Sequence, residues 1–173
     1  MTSASPEFPG GIRLFPATQE EIDYVEDNYR EGERHEREVE NAPPTCLSDF
    51  ETCWICKAAN GDALGYFGTL VMPNESVMSR TRALCFMSCE NANRHKLAFV
   101  KASRPVLRWI VSQCPPWTDT YLSWPLESYK ASVRWQEKVL RMRRVARVPA
   151  ADGENYVVME ITRQEVESWK VPR

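Results

Sequence analysis

The chain has 173 residues, of which 43% are hydrophobic and 27% are charged, and its formal net charge is −2. This length and composition suit one globular domain with a core of its own. Its apolar runs are far shorter than the ~20 residues that a membrane span needs. Residues 1–11 are rich in Pro, Ser and Gly and lack the basic and apolar regions of a signal peptide. We expect a flexible N-terminal arm over 1–11, a single domain over 12–173 and no membrane span.

The first half of the chain alternates between one long helical pattern and several strand patterns. Thr18 followed by Glu21 forms a predicted capping box, and the helix that it opens must end before Pro43. Asn60-Gly61 is a strong hairpin signal. Short apolar runs predict strands over 12–15, 53–58, 63–72 and 82–89.

The second half begins with a helical pattern over 93–114, which Pro105 should kink or divide. A strand over 120–124, a helix over 129–140 and a pair of strands over 143–148 and 155–161 follow. The last residues form a predicted short helical turn that contains Trp169. The order of elements is therefore typical of an α/β domain with a mixed sheet and helices on both faces.

Two segments resemble the GNAT acyltransferase family. The run IRLFPATQEEI over 12–22 is similar to the family's first strand and helix start, often written IRPAT-x-xD. The run over 129–141 is similar to the late family helix N-x-x-A-x-x-F-Y-E-K-x-G-F, with Trp135 and Glu137-Lys138 in register. With the element order, the resemblance spans residues 11–162. It implies a GNAT-like fold with a mixed, mostly antiparallel central sheet.

The segments that would bind acetyl-CoA and supply a catalytic acid depart from this family. GNAT proteins hold the pyrophosphate on a glycine-containing turn before a helix, of the form Q/R-x-x-G-x-G/A. Here residues 90–96 read ENANRHK, without glycine. Gln136 stands where many members have a Tyr that protonates the leaving thiolate, and a Gln amide gives up no proton near neutral pH.

These departures predict a degraded site without a cofactor and leave the catalytic residues unassigned. If acetyl-CoA binds after all, the residues placed to contact it are those at the polar turn, Asn93, Arg94, His95 and Lys96. In that alternative the chain is a divergent N-acetyltransferase acting on a primary amine. Acidic residues such as Glu21 or Glu26 would then recruit a cationic substrate.

The stretch over 84–140 also resembles small GNAT-like internal virion proteins of short-tailed bacteriophages. That resemblance implies a protein that acts through contacts with other virion proteins, or with itself, in assembly of the virion or of its ejection core. It also implies a location in the cytoplasm of a bacterial host, with packaging into the virion as a further option. Residues 18–40 are strongly acidic and 94–147 are basic, which suits contact between oppositely charged surfaces, although two solvated helix faces explain the pattern equally well.

Three other patterns favour structural explanations. Cys53 and Cys56 lie on a predicted strand, where they point to opposite faces and form neither a redox pair nor half of a zinc site, so we expect no metal. The basic run over 138–147 could contact nucleic acid, but no nucleic-acid-reading motif accompanies it. The six cysteines, without an export signal, indicate reduced thiols and a reducing compartment.

Overall fold

The computed structural model describes residues 5–72 and 75–170. Its centre is one sheet of seven strands in the order β1-β2-β3-β4-β5-β7-β6. The strands are β1 (Arg13–Pro16), β2 (Thr52–Lys57), β3 (Ala63–Val71), β4 (Thr81–Ser88), β5 (Thr120–Ser123), β6 (Arg143–Pro149) and β7 (Asn155–Thr162). Neighbours pair antiparallel except β4 and β5, which are parallel. The predicted mixed and mostly antiparallel sheet is confirmed.

Helices cover both faces of the sheet. They are α1 (Gln19–Asp27), α2 (Glu31–Glu40), α3 (Lys96–Gln113), α4 (Lys130–Arg134, continued by a π-helical turn over Trp135–Val139) and α5 (Arg163–Glu167). On one face, Ile22 and Val25 of α1 pack with Ile55 and Tyr66 of the sheet. On the other face, α3 supplies two core clusters, which include Ala102, Val106 and Ile110 on one side and Leu107 and Val111 on the other. Among the described residues, none of the helices is long and apolar enough to cross a membrane.

The predicted first helix is two helices, because the chain between them pairs with β4. Thr18 and Glu21 form the expected reciprocal cap at the start of α1. The helix then stops at Asn28: the amide of Glu90 donates to its carbonyl, and the amide of Arg30 donates to the carbonyl of Ser88. Tyr29 forms an isolated bridge with Cys89. These backbone bonds to the end of β4 pull three residues out of the helix.

α3 is one helix that contains Pro105, so of the two expected outcomes, a kink or a division, the division is wrong. A proline at this position removes one backbone hydrogen bond, but the helix is held by its buried face and by neighbouring side chains. Ser103 donates to the carbonyl of Phe99, and Arg104 donates through Nε to the carbonyl of Val139 at 2.6 Å. The helix begins at Lys96, three residues later than expected, because Glu90–Asn93 forms a 3₁₀ turn.

The predicted N-terminal arm packs against the domain from Ser5 onward. The amide of Ser5 donates to the carbonyl of Leu14, and Phe8 pairs with Ile12. Phe8 is buried and contacts Trp109 edge-to-face, with ring centroids 6.3 Å apart. An aromatic side chain gains enough from burial to hold this segment down. Residues 1–4 lie outside the described residues, and the division into an arm and one domain stays a prediction.

The Cys53 and Cys56 side chains lie on opposite faces of β2, as the strand pattern predicts. Cys56 belongs to the core cluster under α3, and Cys53 packs against the cluster under α1. Burial raises the pKa of both thiols to about 12, which is the opposite of what a redox motif requires. Within the described residues, no group of three or more His, Cys, Asp or Glu side chains is placed to hold a metal ion.

Candidate functional site

The two parallel strands at the centre of the sheet diverge after a short paired segment. Thr81–Ala83 of β4 pairs with Thr120–Leu122 of β5, and β4 then continues to Ser88 along β3 alone. β5 ends at Ser123 and is followed by Pro125, which has no N–H for a ladder and whose carbonyl accepts from Val157. The chain after β5 is therefore drawn toward β7, and a gap opens beside the last residues of β4.

This gap holds a cavity of about 220 Å³ that passes from the α3 side of the sheet to the α2 side. Aromatic rings form its wall on the α3 side: Phe67, Phe86, Phe99 and Trp135. Phe86 and Trp135 meet edge-to-face at 5.3 Å, and the indole N–H of Trp135 donates to Ser103 at 3.0 Å. Charged and polar side chains line the rest of the cavity: Arg30, Glu33, Ser88, Lys96, Tyr129 and Ser132.

Glu33 is a buried carboxylate on the polar side of this cavity. It is only 5% exposed. Ser88 Oγ donates to its Oε1, and the Tyr129 hydroxyl donates to its Oε2 at 2.8 Å. Arg30 donates to Ser88 Oγ at 3.3 Å. We call Glu33, Ser88 and Tyr129 the carboxylate cluster; it joins α2, the end of β4 and the start of α4.

Gly32 permits the close approach of Tyr129 to α2. A Cβ atom at position 32 would lie 2.2 Å from Cε2 of the Tyr129 ring. The ring therefore packs closely against α2 at Gly32, and its hydroxyl donates to Glu33. Burial, with the nearby Glu33 carboxylate, raises the pKa of Tyr129. The phenol stays protonated at neutral pH and acts as a hydrogen-bond donor.

The four residues predicted to contact acetyl-CoA lie in different surroundings. Lys96 is exposed and lines the cavity. Asn93 and Arg94 are exposed on the turn. His95 faces the hairpin between β2 and β3, where its Nε2 lies 3.3 Å from Asp62. No comparison tests these assignments, and they stay predictions.

The turn before α3 satisfies its own amides. The amides of Ala92, Arg94 and His95 donate to the carbonyls of Cys89, Asn91 and Ala92, respectively. These three donors are therefore directed into the turn and away from any phosphate. α3 has no side-chain cap at its N-terminus. Its first backbone amides, which have no intrahelical acceptor, are therefore the donors that this end of the helix offers to an anion.

A basic groove adjoins the cavity and shares Val100 with it. It measures about 370 Å³. Its cationic residues come from α3, from the π-helical turn and from the end of the described chain: Lys101, Arg104, Arg108, Lys138 and Lys170. None of the described residues that line it is acidic. Arg104 lies over the Trp169 ring at 5.7 Å, and burial lowers the pKa of its guanidinium.

Gln136 lies outside the cavity and has a structural role. It is 3% exposed, accepts from Ser123 Oγ, and lies 3.4 Å from Ser132 Oγ through its amide nitrogen. The side chain that replaces the family's Tyr thus ties α4 to β5.

The two acidic residues singled out for substrate recruitment are committed to internal partners. Glu21 caps α1 and forms an ion pair with Lys57 at 2.7 Å. Glu26 accepts from the Tyr29 hydroxyl and the Thr45 amide, and lies 3.6 Å from Arg37. Of the acidic run over 18–40, Glu33 is the residue that lines the cavity.

Comparisons with solved structures identify the class of this fold. Spermidine N-acetyltransferase from Vibrio cholerae, in complex with CoA and spermine, superposes with a TM-score of 0.66 at 7% identity, over 91% of this chain and 98% of that chain. Aminoglycoside acetyltransferase AAC(6')-Ib with coenzyme A gives a TM-score of 0.65 at 20% identity, over 90% and 97%. The same enzyme with ribostamycin and coenzyme A gives 0.66 at 18%, over 94% and 99%. The chain has the fold of the GNAT acetyltransferases.

The comparisons leave one expectation from the sequence without support and correct another. No protein-family model and no curated protein matches the chain. The solved structures described above give no support to a resemblance to phage virion proteins. The prediction of no cofactor is wrong, because proteins that share this fold over nine-tenths of the chain were crystallised with CoA.

Sequence reasoning missed the carboxylate cluster. Tyr129 is only the first residue of the run that resembles the late family helix, and Glu33 is one of many acids on a polar helix. Ser88 is the last residue of a strand and carried no signal of its own. The three come together because α2 crosses the end of β4 and because Gly32 admits the Tyr129 ring. Both are tertiary facts.

Proposed function

We propose that this protein is an acetyl-CoA-dependent N-acetyltransferase that acts on a primary amine of a cationic small molecule. The observation that carries this proposal is the cavity where β4 and β5 separate, which has an aromatic wall on one side and a buried carboxylate on the other. Concave, largely apolar cavities with a few convergent polar groups are the usual form of a small-molecule site.

The residues around the cavity fit the chemical parts of acetyl-CoA. The aromatic wall suits the pantetheine arm, and Lys96 together with the uncapped start of α3 suits the phosphates. The basic groove beyond Val100 offers further cations to a nucleotide. Cationic side chains thus take over the role that glycine amides have in the family turn. Bound acetyl-CoA would supply the activated acyl group.

Two features support an acceptor with positive charge. Glu33 lies on the polar side of the cavity, opposite the aromatic wall. The comparison proteins are, by name, a spermidine acetyltransferase and an aminoglycoside acetyltransferase, whose substrates carry several amines. Direct attack by an amine requires little from a protein beyond positioning and proton transfer.

Calorimetric titration with acetyl-CoA and with free CoA is the first test. We expect micromolar binding of both, followed by acetylation of at least one amine in a panel of spermidine, spermine, kanamycin and ribostamycin. Products should be separated by chromatography, because the exposed Cys46 thiol would react with colorimetric thiol reagents. The absence of binding at near-millimolar acetyl-CoA would overturn the proposal.

A matched pair of variants separates the cavity from the rest of the surface. Ala131 is exposed and lines the cavity mouth on α4, whereas Arg134 is exposed on the same helix outside the cavity lining. Ala131→Trp should weaken acetyl-CoA binding at least tenfold, and Arg134→Trp should leave it unchanged. Equal effects of the two variants would place the site elsewhere.

A second candidate function is protein contact through β6. Every residue of this edge strand is exposed, and Val145 and Val148 are 49% and 36% exposed. Unpaired strand edges accept further strands. If the chain is a virion component, as its sequence resemblance implies, the partner is another virion protein or a second copy. The arginines of β6 already form ion pairs with Glu160, Glu137 and Glu127 of the same chain. The exposed valines are therefore the side chains left to contact a partner. Val145→Lys should disrupt such an assembly, measured by light scattering, more than charge reversal at Arg143 or Arg144.

A further inference from the structure

We infer that Glu33 and Tyr129 form a proton relay for the transfer reaction. Glu33 takes the proton that the amine releases, and Tyr129 gives a proton to the departing sulfur. This inference rests on the proposed function. The two side chains share one short contact, 2.8 Å between the Tyr129 hydroxyl and Glu33 Oε2, and both line the cavity.

A purely structural role does not account for Glu33. The start of α2 is already fastened to β4 by the backbone bond from Arg30 to Ser88 and by the bridge between Tyr29 and Cys89. A buried carboxylate costs several kcal/mol in desolvation unless it is paired. The guanidinium of Arg30 donates to Ser88 Oγ and not to the carboxylate. Glu33 therefore carries a desolvation cost that an apolar residue at the same position would not have, and its carboxylate faces the cavity.

Tyr129 is the phenol that this site offers in place of the missing family Tyr. Gln136 is buried between α4 and β5 and has no proton to give. Tyr129 lies at the start of α4, and its ring is fixed against Gly32. Its hydroxyl already donates to a base, so the proton path is formed before any ligand enters.

The relay balances in protons and bonds. The acceptor enters as the neutral amine, and its nitrogen bonds to the acetyl carbon while the carbon–sulfur bond breaks. The proton that the nitrogen releases goes to Glu33, the sulfur receives the Tyr129 proton, and Glu33 returns its proton to the Tyr129 oxygen. The products are an amide and the free thiol, and both side chains end as they began.

A relay is needed because a lone phenol is too weak an acid here. A thiol has a pKa of roughly 8.5 and an unperturbed phenol one of roughly 10, so direct transfer from phenol to thiolate is already unfavourable. Burial and the Glu33 carboxylate raise the pKa of Tyr129 further. Proton transfer from Tyr129 to the sulfur becomes favourable when protonated Glu33 donates a proton to the Tyr129 oxygen at the same time.

Steady-state kinetics of Glu33→Gln, Tyr129→Phe and the double variant test the relay. Each single change should lower kcat by about 100-fold or more, the usual contribution of a general acid or base, and leave the acetyl-CoA Kd within twofold. The double variant should be no slower than the slower single variant, because groups that act as a unit are non-additive. Glu38→Gln, an exposed glutamate on the same helix, is the matched control and should keep the wild-type kcat.

A second readout needs no activity. In protein labelled at tyrosine 13Cζ, the chemical shift of Tyr129 at neutral pH, assigned by its loss in Tyr129→Phe, should change in Glu33→Gln, because the hydroxyl then loses its bond to a carboxylate. Glu38→Gln should leave this shift unchanged. An unchanged Tyr129 shift in Glu33→Gln would overturn the coupling even if that variant is inactive.

The outcomes separate the two proposals. If the wild type neither binds acetyl-CoA nor acetylates an amine, the proposed function fails. If the wild type is active but Glu33→Gln and Tyr129→Phe stay within threefold of its kcat, the relay fails and the function stands. Additive losses in the double variant would likewise overturn the relay. Melting temperatures of each variant show that the comparison is made on folded protein.

Discussion

The α3 side and the α2 side of the cavity differ in the hydrogen bonds that their polar groups form. On the α3 side, the turn over Glu90–Asn93 closes on itself, and its amides bond to carbonyls of the same turn. On the α2 side, the carboxylate of Glu33 is held by groups from two other elements, Ser88 on β4 and Tyr129 at α4. The first side is built from neighbouring residues, whereas the second is buried and assembled from distant parts of the chain.

This difference shows which kinds of site depend on a fixed sequence motif and which do not. A phosphate turn depends on glycines at fixed positions, since backbone amides must approach the ligand. Side-chain cations at the start of a helix and along a groove can replace that electrostatic role without any motif. A proton-transfer pair depends instead on one close contact, which Gly32 secures from outside the reacting groups. Four variants break or sharpen the comparison.

Gly32→Ala should have the largest effect, because it separates the carboxylate cluster without touching its members. The new methyl would stand 2.2 Å from the Tyr129 ring, so the ring must move away from Glu33. Alanine favours the helix by about 1 kcal/mol, so the protein should stay folded. We expect kcat to fall by about 100-fold with the acetyl-CoA Kd unchanged. A wild-type kcat would show that this contact is not needed.

Lys96→Ala should have an intermediate effect on the other side of the cleft. Lys96 is the one predicted cofactor residue that lines the cavity. Loss of an exposed cation near a phosphate weakens binding by about 1 kcal/mol, or roughly fivefold in Kd at low salt. Calorimetry in low and high salt measures the change, and Arg134→Ala serves as the control. An unchanged Kd would place the phosphates away from the start of α3.

Glu36→Gln should distinguish a structural glutamate from Glu33, one turn away. Burial raises the pKa of Glu36 to about 8, while its carboxyl accepts from the amide of Leu126 at 2.7 Å. The folded protein therefore binds this proton more tightly than the unfolded chain, and stability falls as pH rises from the ordinary Glu value toward 8. Glutamine mimics the protonated acid.

The Glu36→Gln variant should thus be more stable than the wild type at pH 8.5 by at least about 1 kcal/mol, a few degrees or more in Tm, and equal to it near pH 4.5. Its kcat should stay at the wild-type value. Thermal melts at the two pH values measure the difference. A Tm gap that does not grow with pH would contradict the raised pKa.

Ala92→Gly should have the smallest effect. Reintroducing a glycine into the turn would restore cofactor binding only if a Cβ atom were the obstacle. The amides of Ala92, Arg94 and His95 already donate to carbonyl groups of the same turn. We therefore expect less than a twofold change in acetyl-CoA Kd. Tighter binding by tenfold would show that the turn opens to receive phosphate.

Most of the element pattern could be predicted from local chemistry. The capping box at Thr18, the hairpin at Asn60-Gly61 and the alternating runs place all seven strands within about one residue of their observed bounds. The placement of Cys53 and Cys56 on opposite faces followed from the strand alone. These features depend on residues close together in sequence, so the sequence carries them directly.

Long-range contacts decided the rest. The break before α2 exists because Asn28–Arg30 pairs with the end of β4. The π-helical turn over Trp135–Val139 is held by three hydrogen bonds to other elements. Arg104 donates to its last carbonyl, the Trp135 indole donates to Ser103, and Ser123 donates to the side-chain amide of Gln136. Neither has a local signal, because the partners are tens of residues away.

By itself, the sequence determined the order of elements, the resemblance to the GNAT fold and the loss of the glycine turn, because each is written in neighbouring residues. Only the tertiary structure decided which of the many glutamates faces the cavity and which tyrosine meets it. Glu33 and Tyr129 are 96 residues apart and come within 2.8 Å only when α2 crosses β4. A contact of that kind depends on how the helices pack on the sheet, which no local pattern specifies.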